Sequence, residues 1–285
     1  MTITALLLVL AAAFCHATWN FYVKRIGGGA ELVWLISFLS VILYLPLVVY
    51  IFWSSAPNFG LYEIGCVFIS SIIHTVYFTL LQRGYKNGDL SLVYPLARST
   101  GPIISVALAV LFLGETINAQ ILSGGLIIIF GIFFLTGGFQ KRAQQVSTSI
   151  IYGLMVGLCI GSYTAWDAYV VSVVLVSPVL LDYASNIFRA GILSPVAYQR
   201  RQIVMGYWRD HKLGVILISV LSPLAYILFL FAITFTPLTL LAPVRETSVL
   251  ISVLMGSILL GEGHLTRRLI WSAVIISGVA LLATA

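Results

Sequence analysis

Apolar runs of about 20 residues alternate with short polar breaks along the whole chain. The runs lie near 3–23, 32–53, 61–82, 90–113 and 119–138, then 149–172, 178–198, 213–235, 238–260 and 267–284. Each has the length an α-helix needs to cross a bilayer core, roughly 20 mostly apolar residues. The pattern predicts an all-α integral membrane protein with ten transmembrane helices. The seventh run is the most interrupted, by Asp182, Asn186 and Arg189. The breaks are KRIGGGAE (24–31), SSAPN (54–58), RGYKNGD (83–89), GETINA (114–119), QKRAQQVSTS (140–149) and the longest, QRRQIVMGYWRDHK (199–212). Gly and Pro do the breaking in most of them, and no soluble domain fits between the spans.

The pattern also repeats. Residues 92–117, LVYPLARSTGPIISVALAVLFLGETI, correspond to 239–265, TLLAPVRETSVLISVLMGSILLGEGHL. An offset of 147 carries Arg98 onto Arg245, Leu113-Gly114-Glu115 onto Leu260-Gly261-Glu262, Trp19 onto Trp166 and Asn20 onto Asp167. A repeat of half the chain is an architectural signal. It divides the chain into a first repeat at 1–140, a second at 149–285 and a linker at 141–148. Five spans per copy is an odd number, so the second copy enters from the opposite side. The halves are therefore expected to be inverted five-helix repeats, a design common in secondary transporters with a site at the midplane.

Composition agrees with the spans. Hydrophobic residues make up 60% and charged residues 8%, and the mean hydropathy is +1.07; soluble domains carry about 25% charge. The net charge of +6 does not point to nucleic acid, because it is sorted by loop. Lys24, Arg25, Arg83, Lys86, Lys141, Arg142, Arg200, Arg201, Arg209, Lys212, Arg267 and Arg268 all follow odd-numbered spans. None follows an even one. Arg98, Arg189 and Arg245 lie within spans. This asymmetry places the odd loops and the linker in the cytoplasm, against anionic lipid, and both termini on the non-cytoplasmic side.

Cys15, Cys66 and Cys159 sit in apolar runs, so neither a disulfide nor a metal site is expected. The opening MTITALLLVLAAAFCHA lacks a basic n-region and pairs with 149–171 in the repeat. It reads as a retained first helix.

At this point the residues resemble the EamA branch of the drug/metabolite transporter superfamily. The matching pieces are HATWNFYVKR (16–25), LVYPLARSTGP (92–102), SYTAWDAYV (162–170) and the two Leu-Gly-Glu endings. The resemblance implies a ten-helix carrier of small metabolites in the cell inner membrane. It also implies a cavity lined by spans 1, 3 and 4 with their mates 6, 8 and 9. The superfamily's four-helix multidrug exporters depend on a glutamate in the first helix. The comparable part of this chain offers His16, with Tyr163 as its mate, which argues against export of lipophilic cations.

Within that frame the candidate substrate-binding residues are Arg98, Arg245, Glu246, His16, His74, Tyr77, Tyr94, Tyr163, Trp166, Asp167 and Tyr226. Arg98 and Arg245 lie roughly 10 Å inside their helices at 1.5 Å per residue. A central arginine costs at least about 2.5–3.5 kcal/mol, so it is partnered or faces a wet cavity. Pro95 and Pro102 flank Arg98, and Pro237 and Pro243 precede Arg245; proline weakens the local ladder. One reading is a guanidinium pair that holds a carboxylate or phosphate. The other is structural, with Arg245 paired to Glu246 or another buried acid and pinning the ninth span. Ser70, His74 and Tyr77 share a face, as do their mates Ser219, Ser222 and Tyr226. His16, Trp19, Tyr163 and Trp166 suit an amphipathic ligand, although Trp19 and Trp166 also fit an interfacial belt.

Gly114-Glu115 and Gly261-Glu262 read as a helix stop followed by a carboxylate at the next helix's N-terminal turn. No HExxH, GxSxG or Walker pattern occurs, and no cofactor is expected. Protons are an allowed coupling ion through Asp167, His74, His16 and Glu246. A membrane enzyme or a channel is the alternative to a carrier, and flux in sealed vesicles separates them.

Overall fold

The computed structural model describes residues 1–55, 60–87, 90–135, 146–259 and 265–285. Most of linker residues 141–148, the second Leu-Gly-Glu at 260–262 and the ends of the fifth and ninth predicted spans lie outside the described residues.

Every element among the described residues is helical. The first half contains α1 (Ile3–Ile26), α2 (Ala30–Ser55), α3 (Leu61–Asn87), α4 (Leu90–Leu113) and α5 (Ala119–Leu135). The second contains α6 (Val146–Ser172), α7 (Pro178–Gln199), α8 (Arg201–Asp210), α9 (Lys212–Ile233), α10 (Leu238–Arg245), α11 (Thr247–Leu259) and α12 (Leu265–Ala283). Six of these are long and apolar enough to cross a membrane: stretches of α1, α2, α3, α4, α6 and α9; α5 and α12 are shorter apolar helices.

Local chemistry sets the boundaries. The Thr2 hydroxyl accepts from Ala5 N–H at 3.3 Å to start α1, and Gly27 closes it with φ 70°. Gly114 ends α4 in the left-handed region at φ 69°, where glycine meets no Cβ penalty, and Glu115 N–H reaches back to the Ala109 carbonyl at 3.3 Å. Asn118 Oδ1 caps α5 by accepting from Ile121 N–H at 2.8 Å.

Two expectations from the sequence are corrected. The polar stretch at 199–212 is not a plain break: residues 201–210 form α8, which lies against α2 and α9. The ninth run is not one helix either. It stops at Arg245, turns at Glu246 and restarts at Thr247. Pro243 offers no N–H to the ladder, Glu246 N–H turns in to the Pro243 carbonyl at 3.1 Å, and Thr247 Oγ1 donates to the Val244 carbonyl at 2.8 Å.

Helices pack mainly across the two halves. α1 lies against α9 and α3 against α6; α4 lies against α6, and α1 against α10 and α11; α2 meets α7, and α5 meets α12. The α4–α6 contact is tight because Gly153, Gly157 and Gly161 form one stripe that receives Leu96, Thr100 and Ile104. Such small-residue stripes are what let helices approach closely in lipid. The two ends of the chain meet as well, with the Met1 amine donating to the Ala283 carbonyl at 3.4 Å.

Candidate functional site

The interior polar groups converge where α1, α4 and the α10–α11 break come together. Arg98, on the middle of α4, donates through Nη2 to His16 Nε2 on α1 at 3.2 Å. A guanidinium can only donate, so Nε2 is the bare nitrogen and His16 is neutral in this arrangement. Arg98 Nη1 lies 3.5 Å from Glu246 Oε2, with side-chain exposures of 13% and 4%. That is ion-pair range but longer than the roughly 2.7–2.9 Å of a charge-assisted hydrogen bond. Glu246 Oε2 accordingly has no hydrogen-bond partner. Arg98 also sits 5.6 Å from the centroid of the Tyr94 ring.

Arg245, the last residue of α10, points elsewhere. Its guanidinium lies over the rings of Phe229 at 4.4 Å and Tyr226 at 5.3 Å, both on α9. The structural pairing of Arg245 with Glu246 is thus corrected: neighbours in sequence diverge at the break, and Glu246 serves the arginine of the other half. Among the described ion pairs, none joins Arg245 to a carboxylate.

A second group adjoins the first through Arg245 and Tyr226. The Asp167 carboxylate on α6 is wholly buried. Its Oδ2 accepts a short hydrogen bond from the Tyr226 hydroxyl and lies 3.8 Å from His74 Nε2 on α3; Oδ1 has no partner. His74 Nδ1 is 2.9 Å from the Ser70 carbonyl, which can only accept, so Nδ1 carries a proton. The His74 ring lies over Tyr163 at 4.1 Å with a tilt of 30°, and Tyr77 meets Tyr163 edge-on at 5.5 Å.

The cluster therefore joins His16, Arg98, Tyr94, Glu246 and Arg245 to His74, Tyr77, Tyr163, Asp167 and Tyr226. Trp166 stands outside it. Its indole N–H donates to the Cys66 carbonyl at 2.9 Å and so ties α6 to α3. Trp19 stays close, edge-on to His16 at 4.9 Å.

Three residues of α7 were missed as candidates. Asn186 Nδ2 donates to Asp182 Oδ2 at 2.9 Å, and Arg189 Nη1 reaches Asn186 Oδ1 at 3.5 Å. The signal was present in the chain, because a spacing of four and then three places all three on one helix face.

No group of three or more His, Cys, Asp or Glu able to hold a metal occurs among the described residues. The arrangement can bind charge at two kinds of point. One is Arg245, seated on aromatic rings and joined to no carboxylate among the described ion pairs; the other is a pair of buried carboxylates, each with one oxygen that accepts no hydrogen bond.

A crystal structure of a protein 14% identical superposes with a TM-score of 0.73 over 98% of both chains, which shows the shared fold. A curated relative, an uncharacterized protein of Methanocaldococcus jannaschii, is 40% identical over 68 residues; the match spans 24% of this chain and 49%, about half, of that relative. The model of the EamA-like transporter family matches residues 3–137. Over that stretch, just under half of its length, the chain is similar to the EamA-like transporter family.

Proposed function

We propose that the protein is a secondary carrier that moves a small metabolite bearing an acidic group across the inner membrane by alternating access. The substrate is amino-acid-like or an organic anion. The observation that carries this reading is the Arg98–Glu246 pair with Arg245 beside it, because charge from both halves meets in a nearly closed interior. Arg245, on its aromatic seat, binds the carboxylate. Glu246 Oε2, with no hydrogen bond of its own, is suited to the ammonium group of an amino acid. Tyr94, Tyr163 and the flanking rings hold the apolar part.

We read the scaffold as ten spans, with α10 and α11 together forming the ninth and α7 the seventh. The halves 1–140 and 149–285 are inverted copies joined by the cytoplasmic linker 141–148. Exchange of the halves maps the observed helix contacts onto one another: α1–α9 becomes α6–α3, and α4–α6 becomes the contact of α10 and α11 with α1. The mates α4 and α10 also run antiparallel. The first residues of α10 meet Glu115 just past the end of α4, while Glu246 at its far end meets Arg98 in mid-α4. Adjacent chain ends fit an even number of crossings, and the basic odd loops put both termini outside.

Asp167, His74 and Tyr226 form the proton-handling part of the site, adjoining the anion subsite through Arg245 and Tyr226. A thermal-stability screen of zwitterionic amino acids and small carboxylates on the purified protein in nanodiscs tests the reading. At least one class raises the melting temperature of the wild type and fails to raise that of Arg245→Ala. Ligands that stabilise both proteins equally would remove Arg245 from the site.

A further inference from the structure

α10 is only eight residues long and contains Pro243, yet its end presents Arg245 and Glu246. The first N–H groups of a helix have no partner within it, so the placement of α10 depends on what meets its ends. It is tied at both ends to groups of the first half. At its C-terminal end Glu246 meets Arg98. At its N-terminal end the Glu115 carboxylate accepts from Leu238 N–H at 2.7 Å through Oε1 and from Thr239 N–H at 2.8 Å through Oε2. The residue at the cap is Pro237, which makes no side-chain cap hydrogen bond. Glu115 thus fills the role that a helix normally assigns to its own cap, and it does so from 123 residues away.

This differs from the sequence expectation. The glutamate of Leu-Gly-Glu was expected to serve the next helix, but Asn118 caps α5 and Glu115 reaches across to the other half.

We propose that Glu115 is a positioning residue and the latch of the outer gate. Two charge-assisted hydrogen bonds, aided by the positive end of the α10 dipole, hold α10 against the end of α4. Arg245 and Glu246 are thereby set in the site while the non-cytoplasmic side is shut. Release of the carboxylate frees the α10 N-terminus and opens that side. The proposal rests on the carrier reading above, since a latch has meaning only if the site opens.

The test is a distance measurement by double electron–electron resonance in lipid nanodiscs. Spin labels go on Ile117→Cys and Phe235→Cys, exposed residues flanking the contact, in a background with Cys15, Cys66 and Cys159 replaced by Ser. In Glu115→Ala the ratio of long to short separations rises about fivefold, the factor expected from losing a helix cap worth about 1 kcal/mol. Glu115→Gln, which keeps one carbonyl acceptor, gives a smaller rise and carries the test if the alanine variant does not fold. A cap without gating function lowers the melting temperature and leaves the distances unchanged, and that result overturns the proposal. Vesicle flux judges the carrier reading separately, so its failure there leaves the distance result standing.

Discussion

Arg98 and Glu246 form a buried ion pair between halves, and removal of one partner strands the other. Breaking such a pair costs about 3–5 kcal/mol. Glu246→Ala is therefore expected to lower stability by about that amount, while Arg98→Ala with Glu246→Ala recovers a large part of it; a double-mutant cycle of unfolding energies checks this. Trp166→Phe removes the bond to the Cys66 carbonyl and keeps an aromatic ring against the core. It should cost about 1 kcal/mol and leave transport intact, measured by melting and by flux. For Asp167→Asn the expected outcome is a split: uptake driven by a pH gradient is lost, while exchange of substrate across the membrane persists. Loss of both would make Asp167 part of the substrate site itself. Much of this cluster was legible in the sequence, because a charged or aromatic side chain deep in an apolar run demands a partner or a wet surface. The pairing was not. Arg245 and Glu246 are adjacent, and only the turn at Glu246 sends one to α9 and the other to α4.

Helices entered the sequence reading as continuous apolar runs, and that rule found all the long ones. It passed over α8 because QRRQIVMGYWRDHK is too polar to span, although Val204 packs under α2 and Ile203 and Met205 remain exposed. It also passed through the α10–α11 break. Pro243 marked a weak ladder, but whether a proline kinks or ends a helix is decided by neighbouring groups, here Thr247 and Arg98. The close α4–α6 contact gives a direct test at this scale. A Cβ on Gly157 falls on the Thr100 hydroxyl, so Gly157→Ala should destabilise by about 1–3 kcal/mol through overpacking. Gly191, whose Cβ would meet nothing within 4 Å, is the control: Gly191→Ala should leave the melting temperature unchanged or slightly raised.

At the scale of the whole molecule, the most extensive helix contacts join the first half of the chain to the second. Charge sorting and the 147-residue offset were legible in the sequence, and the structure adds that Met1 meets Ala283. What the sequence could not supply was the closed interior, which depends on how long side chains settle around Glu246 and Asp167. A carrier takes up a solute into this interior on one side and releases it on the other. Counterflow in sealed proteoliposomes, with the labelled compound that stabilises the protein, measures that exchange. Carrier function requires saturable uptake that is accelerated by the same unlabelled compound inside and abolished in Arg245→Ala. Uptake that rises linearly with concentration, shows no acceleration from inside and survives Arg245→Ala would contradict it.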